Sequence, residues 1–165
     1  MKKKIVLMLT VIMLIGLAGC GKNQINIKET GTSDNNEQMV QNIYENKRTE
    51  VKQKISEIKE RLPETSAEDK GTCGSKAKWY YKDNTLIIYG EGVITEDTWH
   101  KSNIVINTVV IDSGITKLGN NMFSGLGSEV GKNIENFYIA DGLEEIGSST
   151  FVNCDCLSEI VLPPS

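Results

Sequence analysis

The segment FVNCDCLSEIVLPPS, residues 151–165, puts two cysteines one residue apart beside a regular run of apolar side chains. Its reading decides the fold, because the same pair of cysteines can mean reactive chemistry or simple packing. Its apolar members, Leu157, Ile160 and Leu162, follow the spacing LxxIxI. That figure occurs twice more, as Ile106, Val109 and Ile111 and as Ile134, Phe137 and Ile139. After each of these earlier sets comes a second figure at one shared spacing: Ile115, Leu118 and Phe123, then Leu143, Ile146 and Phe151. Glycines keep the same register, Gly114 with Gly142 and Gly119 with Gly147. Ile111 to Ile139 spans 28 positions and Ile139 to Leu162 spans 23, so the first unit holds a five-residue insertion around GSEVGK. Insertions of this kind fall in the loops of repeat proteins.

Six or seven apolar side chains per unit cannot offset the backbone entropy of ordering it, about 1–2 kcal/mol per residue. Neighbouring units must therefore share their apolar surfaces, and no unit folds alone. In each LxxIxI strand the inward residues alternate with outward ones. Thr108 and Val110, Asn136 and Tyr138, and Glu159 and Val161 are thus expected as adjacent outward columns. These six residues form the expected binding face, with Tyr138 as its anchor.

Phe151, Cys154, Leu157, Ile160, Leu162 and Pro163 match FxxCxxLxxIxLP, and on them the segment resembles the bacterial BspA-type leucine-rich repeat. GTCGSKAKWYYKDNTLIIYGEG, followed by Trp99, is similar to the hairpin that precedes such repeats in surface proteins. The resemblance covers residues 71–165. It implies a mainly β fold, a short leucine-rich-repeat solenoid of about two and a half units preceded by a β-hairpin cap. It also implies surface display and adhesion to host proteins or other cells, and an inward, packed role for Cys154. Leu126 follows Phe123 at the interval by which Cys154 follows Phe151, and a leucine fills space but ligates no metal. Cys156 departs from the consensus and is expected at the surface. With Cys20 lipidated three thiols remain, which leaves open a free thiol or one disulfide between Cys73 and a repeat cysteine.

At the front, MKKKIVLMLTVIMLIGLAGCGK gives three lysines and an apolar run of thirteen residues, Ile5 to Leu17. That run is shorter than the roughly 20 residues a spanning helix needs. Charged start, apolar run and small residues read as an export signal. Leu17, Ala18, Gly19 and Cys20 resemble a bacterial lipobox, which implies cleavage after Gly19 and lipid on the Cys20 thiol. The chain is then expected outside the cell, anchored to the outer face of the membrane. Residues 20–36 read as a flexible tether.

Within 37–62, Val51, Ile55, Ile58 and Leu62 recur at spacings of four, three and four, the stripe of an amphipathic helix. Asp34 and Glu37 are placed to form a capping box, and Pro63 ends the helix. Gln41 and Arg48 stand where a coiled coil wants apolar residues, so the stripe is expected to pack on another surface rather than to oligomerise. Residues 63–70 form a linker, 71–103 the hairpin cap, and 104–165 the repeats. Strands are expected at 78–82 and 85–89 around Asp83 and Asn84, and at 157–162 in the last unit.

Without residues 1–19 the chain has 15 basic and 22 acidic residues, a balance of −7, and residues 71–165 carry 6 Lys against 12 Asp or Glu. That balance argues against nucleic acid. One histidine, His100, and no serine in a nucleophile elbow argue against an enzyme, and GEG and GLGSEVG lack the following lysine of a phosphate loop. No cofactor, metal or small-molecule substrate is expected; the partner class is a protein on a host or cell surface. The alternative is an accessory envelope lipoprotein, or a fragment of a larger surface protein, whose helix is the working part. The third unit breaks off at Ser165, which reads as truncation of a longer array.

Overall fold

The computed structural model describes residues 33–102, 104–124 and 131–164. The export signal, Cys20, most of the tether and most of the insertion lie outside the described residues. The hairpin is the local starting point. Asp83 and Asn84 both take positive φ, +48° and +56°, the combination of a two-residue turn whose twist matches its strands. It joins β2 (Ala77–Lys82) to β3 (Thr85–Gly90). The expected linker contains more order than its composition suggested. Residues 64–66 form a 3-10 turn, and Asp69 and Lys70 open β1 (Asp69–Thr72), which pairs antiparallel with β2.

After β3 the chain alternates between two sheets. β4 (Gly92–Ile94), a 3-10 turn (Thr98–Ser102), β5 (Thr108–Ile111), β6 (Ile115–Leu118), β7 (Asn136–Ile139) and β8 (Glu145–Ile146) follow in order. One sheet has the order β1-β2-β3-β5-β7 and the other β4-β6-β8. From β3 onward all neighbours are parallel, so equivalent residues align: Leu86 with Val109 and Phe137, Ile88 with Ile111 and Ile139. The offset of 28 between β5 and β7 is the one read from the sequence. The 23-residue offset between β3 and β5 shows that the second hairpin strand is itself a repeat layer, which the sequence reading had assigned only to the cap.

The inward half of these strands, with the second sheet, encloses the main core. Leu86, Ile88, Ile94, Ile106, Val109, Ile111, Ile115, Leu118, Ile134 and Ile139 are fully buried, and Phe137, Leu157 and Ile160 nearly so. Aromatic rings run through the layers. Trp99 stacks on Phe123 at 5.4 Å and Phe123 on Phe151 at 6.3 Å, while Phe137 meets both phenylalanines edge-on. Two glycines allow the close approach of layers. A Cβ on Gly114 would stand 1.9 Å from the Gly90 carbonyl oxygen, and one on Gly147 2.5 Å from the Gly119 carbonyl carbon.

The last unit departs from expectation. Residues 157–162 contain one bridge residue, Ile160, rather than a full strand. Pro163 and Pro164 have no N–H to donate, and the carbonyls of Val161 and Leu162 accept from side chains of the helix. The helix, α1 (Ser33–Arg61), starts earlier than expected, so Asp34 lies inside it rather than at its cap. It stops just before Leu62 and Pro63, as the proline requires. No helix among the described residues is long and apolar enough to cross a membrane.

Candidate functional site

The sequence reading expected an outward ribbon on the larger sheet, and the strand alternation that defines it holds. Val109 and Ile111 turn into the main core, while Val110 turns to the opposite face. The expectation that this face stands open is corrected: α1 lies across it. Val51, Ile55, Ile58 and Leu62 form a second apolar cluster with Tyr80, Ile87 and Val110, flanked by Tyr89, Tyr138, Ala140 and Val161. Val110 is fully buried. The physical reason is that β2, β3, β5 and β7 bring Tyr80, Ile87, Val110 and Tyr138 side by side, an apolar strip that needs cover. The helix stripe supplies the matching surface.

Polar contacts fix the helix in register. Arg48, nearly fully buried, donates from Nη1 to the Ile139 carbonyl at 2.9 Å and to the Val161 carbonyl at 3.1 Å. Its Nη2 donates to Asp141 Oδ1 at 2.6 Å, and Lys52 pairs with the other Asp141 oxygen at 2.7 Å. These partners hold the Asp141 carboxyl below the usual carboxylate range, the hydrogen bond from Lys52 most of all. Arg48 thus ties the end of β7 to the segment that follows the bridge residue Ile160. The residue that reads as a flaw in a coiled coil is the anchor of the helix on its own sheet. Its Nε is buried with no hydrogen-bond partner among the described residues. Around it, the Tyr44 hydroxyl donates to the Leu162 carbonyl at 2.9 Å, Lys47 pairs with Glu159, Lys59 pairs with Asp112, and the Tyr80 hydroxyl donates to the Leu62 carbonyl. Burial raises the Tyr44 phenol above its ordinary pKa.

The six expected face residues therefore separate. Val110 is sealed under the helix, and Thr108, at the start of β5, is half-buried. Tyr138 and Val161 are half-buried against the second cluster. Asn136 is exposed, and half-buried Glu159 is engaged by Lys47. An opening of about 190 Å³ remains between helix and sheet, lined by Lys47, Glu50 and Val51 on one side and Asn136, Tyr138 and Glu159 on the other. With Glu135 also on its wall, it carries three carboxylates against one ammonium.

The cysteines and the histidine lie elsewhere. Cys154 is buried, with Sγ 3.1 Å from the Phe123 carbonyl, and Cys73 is fully buried. Burial pushes the Cys154 thiol up to about 11 and the Cys73 thiol up to about 12. All three described cysteines are free, and Cys156 is exposed. Among the described residues no three His, Cys, Asp or Glu side chains are grouped to hold a metal. His100 Nδ1 lies 2.7 Å from Asp97 Oδ2, in the 3-10 turn that carries Trp99 into the core.

Residues 129–165 match the family described as "BspA type Leucine rich repeat region (6 copies)". Among solved structures, the chain resembles a leucine-rich repeat protein from Eubacterium ventriosum, at 24% identity and a TM-score of 0.42, over 52% of this chain and 23% of that one. The chain thus spans about a quarter of the length of that protein. No curated protein matches it.

Proposed function

Because the chain is a BspA-type leucine-rich repeat protein, we propose that it is a surface-displayed protein-binding module that attaches its cell to a host or to another cell. In this reading lipid on Cys20 holds it on the outer face of the membrane. The layers β3–β4, β5–β6 and β7–β8 with the unit at 151–164 act as a short solenoid that presents the binding surface. The observation that carries the reading is the opening between α1 and the sheet, where Asn136, Tyr138 and Glu159 meet Lys47 and Glu50. Its excess of carboxylates favours a partner segment with basic side chains. The accessory reading, in which the helix works by itself, loses support because the apolar stripe of α1 is taken up by its own sheet.

The test is attachment of the purified chain to target cells. Asn136→Ala with Tyr138→Ala, in protein that keeps its far-UV spectrum, is expected to lower attachment at least tenfold. Unchanged attachment would contradict this location. For the anchor, Cys20→Ala is expected to release the protein into the medium, and retention in the membrane fraction would contradict lipidation.

A further inference from the structure

Two apolar clusters hold the molecule together, and α1 takes part in only one of them. Among the described residues, every buried member of the main core belongs to residues 73–160, and none comes from the helix. The second cluster is the helix stripe laid on Tyr80, Ile87 and Val110, with Tyr89, Tyr138, Ala140 and Val161 at its margin. Bared of α1, those seven residues, on neighbouring strands and the segments that follow them, would form a continuous apolar strip, the kind of surface that calls for a partner. The helix is joined to the sheets through Leu62, Pro63 and an exposed 3-10 turn at Glu64–Ser66. Its seat is imperfect, because Arg48 Nε is buried there without a partner among the described residues, and an unmet buried donor costs stability. The ion pairs Lys52–Asp141 and Lys59–Asp112 lie at the partly exposed rim, where water replaces them at little cost.

We propose that the outer face of the five-stranded sheet is a receptor for an amphipathic helix supplied in trans, with α1 as its resident competitor. The resident states the chemistry of the partner: Val, Ile, Ile and Leu at spacings of four, three and four, and an arginine three positions before the valine. The aliphatic stripe fills the strip, and the guanidinium reaches the carbonyls of Ile139 and Val161 and the Asp141 carboxylate. Binding in trans is then governed by how often α1 lifts. In the intact chain the tethered helix competes at an effective concentration on the order of millimolar, and it wins. The proposal goes beyond the attachment reading and does not depend on it, since helix exchange and cell attachment are read separately.

The experiment places a protease recognition sequence in the exposed turn at 64–66 of the full chain and follows a fluorescent peptide of residues 37–62 by anisotropy. Intact protein is expected not to bind the peptide. Cleaved protein is expected to take it up in exchange for the severed helix, keeping amide protection in β3, β5 and β7 throughout. A peptide carrying Arg48→Ala is expected to bind at least tenfold more weakly. The proposal is overturned if cleavage abolishes protection in those strands, because α1 is then an integral part of the fold. It is equally overturned if the severed helix fails to exchange against excess peptide over a day, if intact and cleaved protein bind the peptide alike, or if the Arg48→Ala peptide binds as tightly.

Discussion

The larger sheet has two faces built from the same strands, and they are sealed by different means. On the inner face, Val109, Ile111, Phe137 and Ile139 meet side chains from neighbouring layers and from the second sheet, so each contact is shared along the repeat. On the outer face, Tyr80, Ile87 and Val110 are covered by α1 with Leu62 and Ala67 after it, through a one-sided stripe of four aliphatics and one clamping arginine. The first seal is distributed and needs every layer. The second is a single element laid on a finished surface. The difference teaches that periodicity in a repeat sequence dictates which side chains leave the core but not whether they reach water.

Phe123→Ala attacks the inner seal most severely. It removes the ring between Trp99 and Phe151 and is expected to cost about 3–5 kcal/mol by urea unfolding followed through tryptophan fluorescence. A loss under about 1 kcal/mol would break the comparison, since cavities of this size in a shared core are rarely cheap. Ile55→Ala attacks the outer seal. Its expected cost is about 2 kcal/mol, the low end for such truncations because the helix sits at the solvent boundary. The loss should appear as faster amide exchange in 51–62 with β5 and β7 little changed. Arg48→Ala should cost about 1–2 kcal/mol, because the carbonyls of Ile139 and Val161 lose their donor but gain access to water, and Arg48→Lys should restore only part of it.

A smaller effect sharpens the electrostatic side of the outer seal. Asp141 has its folded pKa lowered by Lys52 and Arg48, so its contribution is fully present above the ordinary carboxylate pKa, about 3.9. It is lost as pH falls through the lower folded value. Asp141→Asn should therefore narrow its stability gap to the parent chain below about pH 4, and above pH 5 the gap should stay under about 1 kcal/mol because the carboxylate is partly exposed. A gap that widened in acid would reverse the assignment. Smallest is the effect of blocking Cys156. One thiol is expected to react rapidly in the native chain with no loss of stability, while Cys73 and Cys154, raised to about 12 and about 11, react only on unfolding.

Much of the inner face was legible because repeats write the same instruction several times. Val109, Phe137 and Ile160 were placed inward from spacing alone, Cys154 by resemblance, and the turn at Asp83 and Asn84 from residues that tolerate positive φ. The layer formed by β3 and β4 was missed because a register shift between Gly92 and Val93 changes the period from 23 to 24, and Trp99 stands where later units have phenylalanine. Leu86 and Ile88, 23 residues before Val109 and Ile111, were the available signal. β1 carries none: its sequence, DKGT, has no apolar alternation, and it forms because β2 offers an edge. For the candidate site, the stripe at Val51, Ile55, Ile58 and Leu62 announced that the helix needed a partner, but no local pattern names the surface. Arg48 was visible as an oddity, and only long-range contact with Ile139 and Val161 explains it.

Hydrogen exchange on the intact chain, followed by mass spectrometry across low denaturant, compares the two seals within one molecule. The account predicts that residues 51–62 exchange through a smaller opening, with weak denaturant dependence, while the strands around Ile88, Ile111 and Ile139 stay protected until global unfolding. A single transition in which α1 and those strands lose protection together would contradict it.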